Sequence, residues 1–131
     1  MVRAEFISEE NLKRKYKIKN GKIVILKIED DFDEVTFWDE QNIQLGNDRD
    51  FLFIEDEYNE NRYLLARMYV PIIQNGLGRA AIEFFTEHTD AVVYAREHDG
   101  NTRDDGSHLT GDAPMFVGKM QKEGLIEKAI I

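Results

Sequence analysis

The chain has 131 residues, 33% of them charged and 42% hydrophobic, with no cysteine; that excludes a disordered chain, a disulfide scaffold and thiolate chemistry, and it suits one domain spanning 1–131. A formal charge of −9 argues against nucleic-acid binding, which needs Lys and Arg on phosphates. No apolar run approaches the ~20 residues of a membrane span, and the polar first twenty residues lack a signal-peptide core, so a cytoplasmic protein without a membrane partner is expected.

The charge is unevenly spread. Residues 1–27 carry eight Lys and Arg against three Glu, a net of +5, and the remainder carries nine basic against 23 acidic residues, a net of −14. Ser8-Glu9-Glu10-Asn11-Leu12 reads as the opening of a short helix, with Ser8 as N-cap and acids in the first turn. Lys13-Arg14-Lys15-Tyr16-Lys17-Ile18-Lys19 reads either as a solvated edge strand whose lysines discourage aggregation or as a contact for an acidic partner or polyphosphate. Asn20-Gly21 then joins Tyr16–Lys19 to Lys22–Ile28, the strongest short hairpin signal. Glu34 to Trp38 is a further strand, followed by a polar stretch to Asp50. Phe51–Glu55 and Arg62–Val70 flank a turn at Asn59-Glu60-Asn61 and form a second hairpin, low in Gly and Pro and rich in aromatic and aliphatic residues.

After Pro71 the period changes. Leu77, Ala81, Phe84, Phe85 and His88 follow the 3.6-residue repeat of a half-buried helix, with His88 packed or capping. Ala91–Ala95 is short and continuously apolar, as in a strand buried on both faces. A polar loop runs from Glu97 to Gly111. Asp112 then caps a helix stepping through Ala113, Phe116, Val117 and Met120, with Gly124 as its stop. The order is a β-rich first half followed by β-α-β-α. Trp38 and the phenylalanines are expected to fill the core.

Between the second hairpin and the first long helix lies Gln74-Asn75-Gly76-Leu77-Gly78-Arg79-Ala80. Two glycines one residue apart allow a tight turn whose N–H groups approach an anion, and the helix start adds its partial positive charge. The same pair also reads as a turn that only permits close helix–sheet packing. Arg79 points at a phosphate or stands solvated on the helix. A dinucleotide-binding loop lacks its third glycine, since Ala81 stands there, and a Walker loop lacks its Gly-Lys-Ser/Thr. His98 and His108, with Asp99, Asp104, Asp105 and Asp112, match neither an EF-hand nor a zinc motif, so no metal site is expected.

Gly76-Leu77-Gly78-Arg79-Ala80-Ala81-Ile82, set between a strand ending at Val70-Pro71 and a helix, resembles the central motif of the GNAT superfamily of acetyl-CoA-dependent N-acetyltransferases. Ala113 through Phe116 to Gly124-Leu125-Ile126 is similar to that family's terminal helix. The resemblance covers roughly residues 51–126. It implies a mixed α/β (α+β), three-layer fold with a twisted, mostly antiparallel sheet and a parallel β-α-β segment at the glycine loop. It implies acetyl-CoA as cosubstrate, its pantetheine beside Arg67–Val70 (Met68 and Val70 among the binding residues) and its pyrophosphate on Gln74, Asn75, Gly76, Leu77, Gly78, Arg79 and Ala80. It also implies direct attack by an amine acceptor, small molecule or protein, in a ternary complex. Glu55, Glu57 and Tyr69 are the positional candidates for acid–base work, Glu55 and Tyr69 foremost. The chain departs from the pattern at Ile73, which takes the first motif position with Gln74 one residue late. Val117 stands where a tyrosine often serves as thiolate acid, and the interval from Ala113 to Gly124 is long. The family's two N-terminal helices are hardly visible. Two alternatives stand beside transfer: an inactive GNAT-like binding or regulatory protein, and a small acidic protein that occupies a basic partner surface. A homodimer is compatible with each.

Overall fold

A computed structural model describes residues 4–29, 33–56, 58, 61–71, 76–95 and 113–128. The first half is a run of antiparallel strands: β1 (Glu5–Glu10), β2 (Lys13–Lys17), β3 (Ile23–Glu29), β4 (Glu34–Trp38), the two-residue β5 (Gln44–Leu45), β6 (Phe51–Glu55) and β7 (Arg62–Met68). Then follow α1 (Leu77–Thr89), β8 (Val92–Ala95), α2 (Ala113–Lys122) and β9 (Glu127–Lys128). The strands form one sheet in the order β1-β2-β3-β4-β6-β7-β8-β9, with β5 attached to β4. Pairing is antiparallel from β1 to β7 and parallel for β7–β8 and β8–β9. The expected mixed α/β fold is therefore present, with a mostly antiparallel sheet and a parallel β-α-β unit around the glycine loop. No helix among the described residues is long and apolar enough to cross a membrane.

Both hairpins lie where the sequence places them. At the first, Gly21 N donates to Ile18 O at 2.9 Å and Ile18 N to Lys22 O at 3.0 Å. The helix expected from Ser8 is not formed, because Ser8 to Glu10 belongs to β1. Its register sets Glu5 opposite Lys17, Glu9 opposite Arg14 and Glu10 opposite Lys13. Three opposite-charge cross-strand pairs favour the ribbon, whereas one isolated helical turn has little to hold it. Asn11, at φ 52°, makes the turn.

The core lies between one sheet face and the two helices. Phe53 stacks on Phe85 of α1 at 3.8 Å between centroids, 5° from parallel. Phe51 and Phe37 continue the row across β6 and β4, and Tyr63 meets Phe85 edge-on at 5.1 Å. Both crossovers place their helices on this one face, since the Gly78 backbone of α1 lies against Phe116 of α2. The opposite face carries no helix among the described residues. That corrects the reading of Ala91–Ala95 as buried on both sides: Val92 is 40% exposed while Val93 and Ala95 are buried. Trp38 also faces away from the core. It is half-buried, donates from Nε1 to Thr36 Oγ1 at 2.8 Å, and has Lys27 Nζ 3.9 Å from its ring centroid. Phe6, on the edge strand, is exposed, and His88 is exposed near the end of α1 rather than packed.

Candidate functional site

The glycine segment emerges from β7 and enters α1. Ile73, Gln74 and Asn75 lie outside the described residues, as do Glu57, Glu97 to Gly111 and Asp112. Gly76 is the N-cap of α1 at φ 77°, ψ 10°, without a side-chain cap, and its carbonyl accepts from Ala80 N at 3.0 Å. Only glycine adopts this backbone without strain. The first amides of a helix have no partner within it, so this start, with Gly76 on the wall of a cleft, is a donor set at the positive end of the dipole.

Gly78 has a different role. It is buried within α1, and a Cβ added to it would stand 2.6 Å from Met68 Cε and 3.4 Å from Phe116 Cζ. The second glycine of the pair lets α1 settle onto β7 and α2. Leu77 is buried at 1% exposure and Ala80 at 5%, while Met68 and Val70 pack partly buried against the core.

Arg79 is clasped by acids. Its Nε donates to Glu83 at 3.0 Å and its Nη1 to Glu123 at 2.6 Å. The bond to Glu123 is the main reason its pKa stands above the ordinary arginine value, partial burial opposing. Arg79 thus ties α1 to the end of α2 and shows only 14% of its side chain to solvent.

Parallel pairing of β7 with β8 covers Arg62–Leu64 against Val92–Tyr94, and β7 runs on to Met68. Past Leu64 no strand among the described residues pairs with β7 on that side. On its other side the register with β6 shifts between Leu52–Arg67 and Phe53–Leu65, leaving Ala66 as a bulge. A bulge bends the strand and re-aims its polar groups, here in the last residues of β7 before the chain leads toward the glycine segment.

The two acid–base candidates are not brought together. Glu55 ends β6, exposed, and accepts from the Tyr63 hydroxyl at 3.2 Å. Tyr69 lies six residues beyond Tyr63, roughly 20 Å along the strand. It is 42% exposed, and its N–H donates to Asp50 O at 2.8 Å. Tyr69 stands at the end of β7 that leads toward Gly76 and Glu55 near the other end.

A group that sequence reasoning missed is Glu34, only 2% exposed in β4 opposite Leu52. Its Oε2 accepts from the backbone N–H of Arg49, a residue held at φ 63°. Burial pushes its pKa above the ordinary carboxylate value, the Arg49 amide opposing. The strand's Glu-x-Thr-x-Trp alternation was the available signal, since it sets Glu34 on the same face as Thr36 and Trp38. A carboxyl with a raised folded pKa binds its proton more tightly when folded. The associated stability is present at low pH and is lost as pH rises through the folded value. Glu34→Gln keeps an oxygen for Arg49 and removes the charge. Its melting temperature relative to the parent should therefore be higher at about pH 7 than at about pH 4, because only the parent loses that term. An unchanged difference in calorimetry would show that Glu34 does not couple to folding.

Beside the start of α1, a cleft of about 370 Å³ opens between the β1–β2 hairpin and the helix, with Gly76, Arg79 and Ala80 on its wall. Among the described residues no group of three or more His, Asp or Glu is placed to hold a metal ion. Compared with family models, curated proteins and solved structures, the chain matches none.

Proposed function

We propose that the chain binds an acyl-CoA thioester along β7 and the start of α1, and transfers the acetyl group to a primary amine. The observation that carries this reading is the bulged end of β7 leading to a glycine-capped helix start. An arm containing amides can lie along β7, and a diphosphate can accept from the first amides of α1. In the ternary complex the acceptor nitrogen attacks the thioester carbonyl, the C–S bond breaks, the amine loses a proton and the thiolate gains one. Positioning supplies most of the acceleration. Tyr69 is the acid–base candidate at the end of β7 nearer the glycine start; Glu55 is remote from it.

Carrier binding without transfer is a second reading, favoured by one observation. Val117, at the position of the family's acid tyrosine, is 5% exposed in the core and has no proton to give. Occupation of a basic partner surface by the acidic chain is the remaining alternative.

Gly76→Asp tests the carrier site. Aspartate tolerates the left-handed region better than most residues and suits a helix start, yet it sets a negative charge where the diphosphate would rest. In the parent, acetyl-CoA at a hundred times its dissociation constant should add about 2.7 kcal/mol of stability. Gly76→Asp should lose that gain, and the neutral Gly76→Asn should retain much of it. No thermal shift in the parent would end the carrier reading. A shift without release of free thiol across an amine panel would favour binding without transfer.

A further inference from the structure

The cleft beside α1 has a composition of its own. One wall is the helix stripe Arg79, Glu83 and Glu87, and the other is the hairpin with Phe6, Arg14 and Tyr16. Arg14 is fixed from three sides: Nε on Glu9 at 2.8 Å, Nη2 on Glu87 at 2.9 Å, and its guanidinium 4.7 Å from the Phe84 ring centroid. Although burial works against its charge, bonds to Tyr16, Glu9 and Glu87 hold its pKa above the ordinary arginine value. Both arginines are therefore immobile before any ligand arrives, which lowers the ordering cost of binding.

Charge runs in one direction along the cleft. The positive end of the helix dipole and Arg79 lie at the Gly76 end. Glu83 and Glu87 follow at successive turns, about 6 Å apart. Each glutamate holds an arginine through one oxygen, Oε1 of Glu83 and Oε2 of Glu87, so the second oxygen lies outside those bonds. Arg79 likewise uses Nε and Nη1 on carboxylates, leaving Nη2 outside them. A polyanion would meet two carboxylates and a polyamine two guanidinium groups. A molecule with one charge of each sign, separated by one to two helical turns, meets neither penalty. Phe6 and Tyr16 add an apolar wall between the ends, their centroids 6.0 Å apart.

We propose that this cleft binds a short peptide of two or three residues with free ends, its carboxylate toward Gly76 and Arg79 and its ammonium toward Glu83 and Glu87. An extended tripeptide spans about 10 Å between its charged ends, which matches the two-turn spacing. The site shares the Gly76 end of α1 with the carrier site, so the two ligands compete there, and it differs in its ammonium end at Glu83 and Glu87.

Tri-alanine is the probe, followed by backbone amide NMR on the full chain. Binding should shift the amides of Phe6, Arg14, Arg79 and Glu87. Acetylating the peptide N-terminus or amidating its C-terminus should each weaken binding about tenfold or more, since each removes a charge-assisted pair. Glu87→Gln, at an exposed position that still accepts from Arg14, should weaken the free peptide and leave the N-acetylated one unchanged. Blocked and free peptides binding alike would overturn the proposal, and so would an absence of shifts at millimolar peptide. Failure of CoA to bind at all would leave the peptide result standing.

Discussion

Replacing Phe85 by alanine is expected to remove about 4 kcal/mol of folding stability. Phe85 is 1% exposed, stacks on Phe53 and receives the edge of Tyr63. Its truncation loses the transfer energy of a phenyl ring and leaves a void between α1 and two strands. Neighbouring rings cannot close that void without leaving their own contacts, because interiors are close-packed. Urea denaturation followed by the single tryptophan would measure it. A cost below about 2 kcal/mol would mean that the sheet–helix layer repacks freely, contrary to the stacked geometry. Phe6→Ala, at an edge position 55% exposed, should cost far less and serves as the control.

Gly78→Glu should be the most damaging single change in the glycine segment. Its Cβ alone would stand 2.6 Å from Met68 Cε, and the carboxylate would follow into the contact between α1, β7 and Phe116. Overpacking costs about 1–3 kcal/mol, and burial of an unpaired charge adds several more. Gly78→Ala should cost only about 1 kcal/mol, because the atom in the way is the free end of a flexible methionine. Met68→Ala should lessen the damage of Gly78→Ala in a double-mutant cycle. A variant Gly78→Glu that folds as well as the parent would show that this glycine faces outward. The same steric fact makes Gly76, not Gly78, the position at which carrier binding is separable from folding.

Much of the fold was legible from local signals. Asn20-Gly21 and the residues around Asn61 announced the two hairpins, and the 3.6-residue repeat from Leu77 to Phe85 announced α1. Ser8 misled because an N-cap followed by acids is a local pattern, while the competing strand depends on β2 supplying Arg14 and Lys13 opposite. Ala91–Ala95 misled because a short apolar run does not say on which side its helices pack. The glycine segment was legible as a place but not in its division of labour. Gly76 turns the chain, and Gly78 makes room for side chains ten residues before it and 38 after it. Glu34 left only the Glu-x-Thr-x-Trp alternation of its strand as a trace, which places the acid on a face without marking it as buried.

Hydrophobic period and turn chemistry act within a few residues, so the order of strands and helices, β1, β5 and β9 aside, was written in the chain itself, as was the position of the glycine start. The partners of the charges came only with the tertiary structure. Arg14 reaches Glu87 across 73 residues and Arg79 reaches Glu123 across 44. Ion pairs and close approaches are set by distance in space, and the parallel crossovers of β7, β8 and β9 bring those distant segments onto one face. That arrangement turned a charged helix stripe into the wall of a cleft and a glycine pair into one turn and one contact.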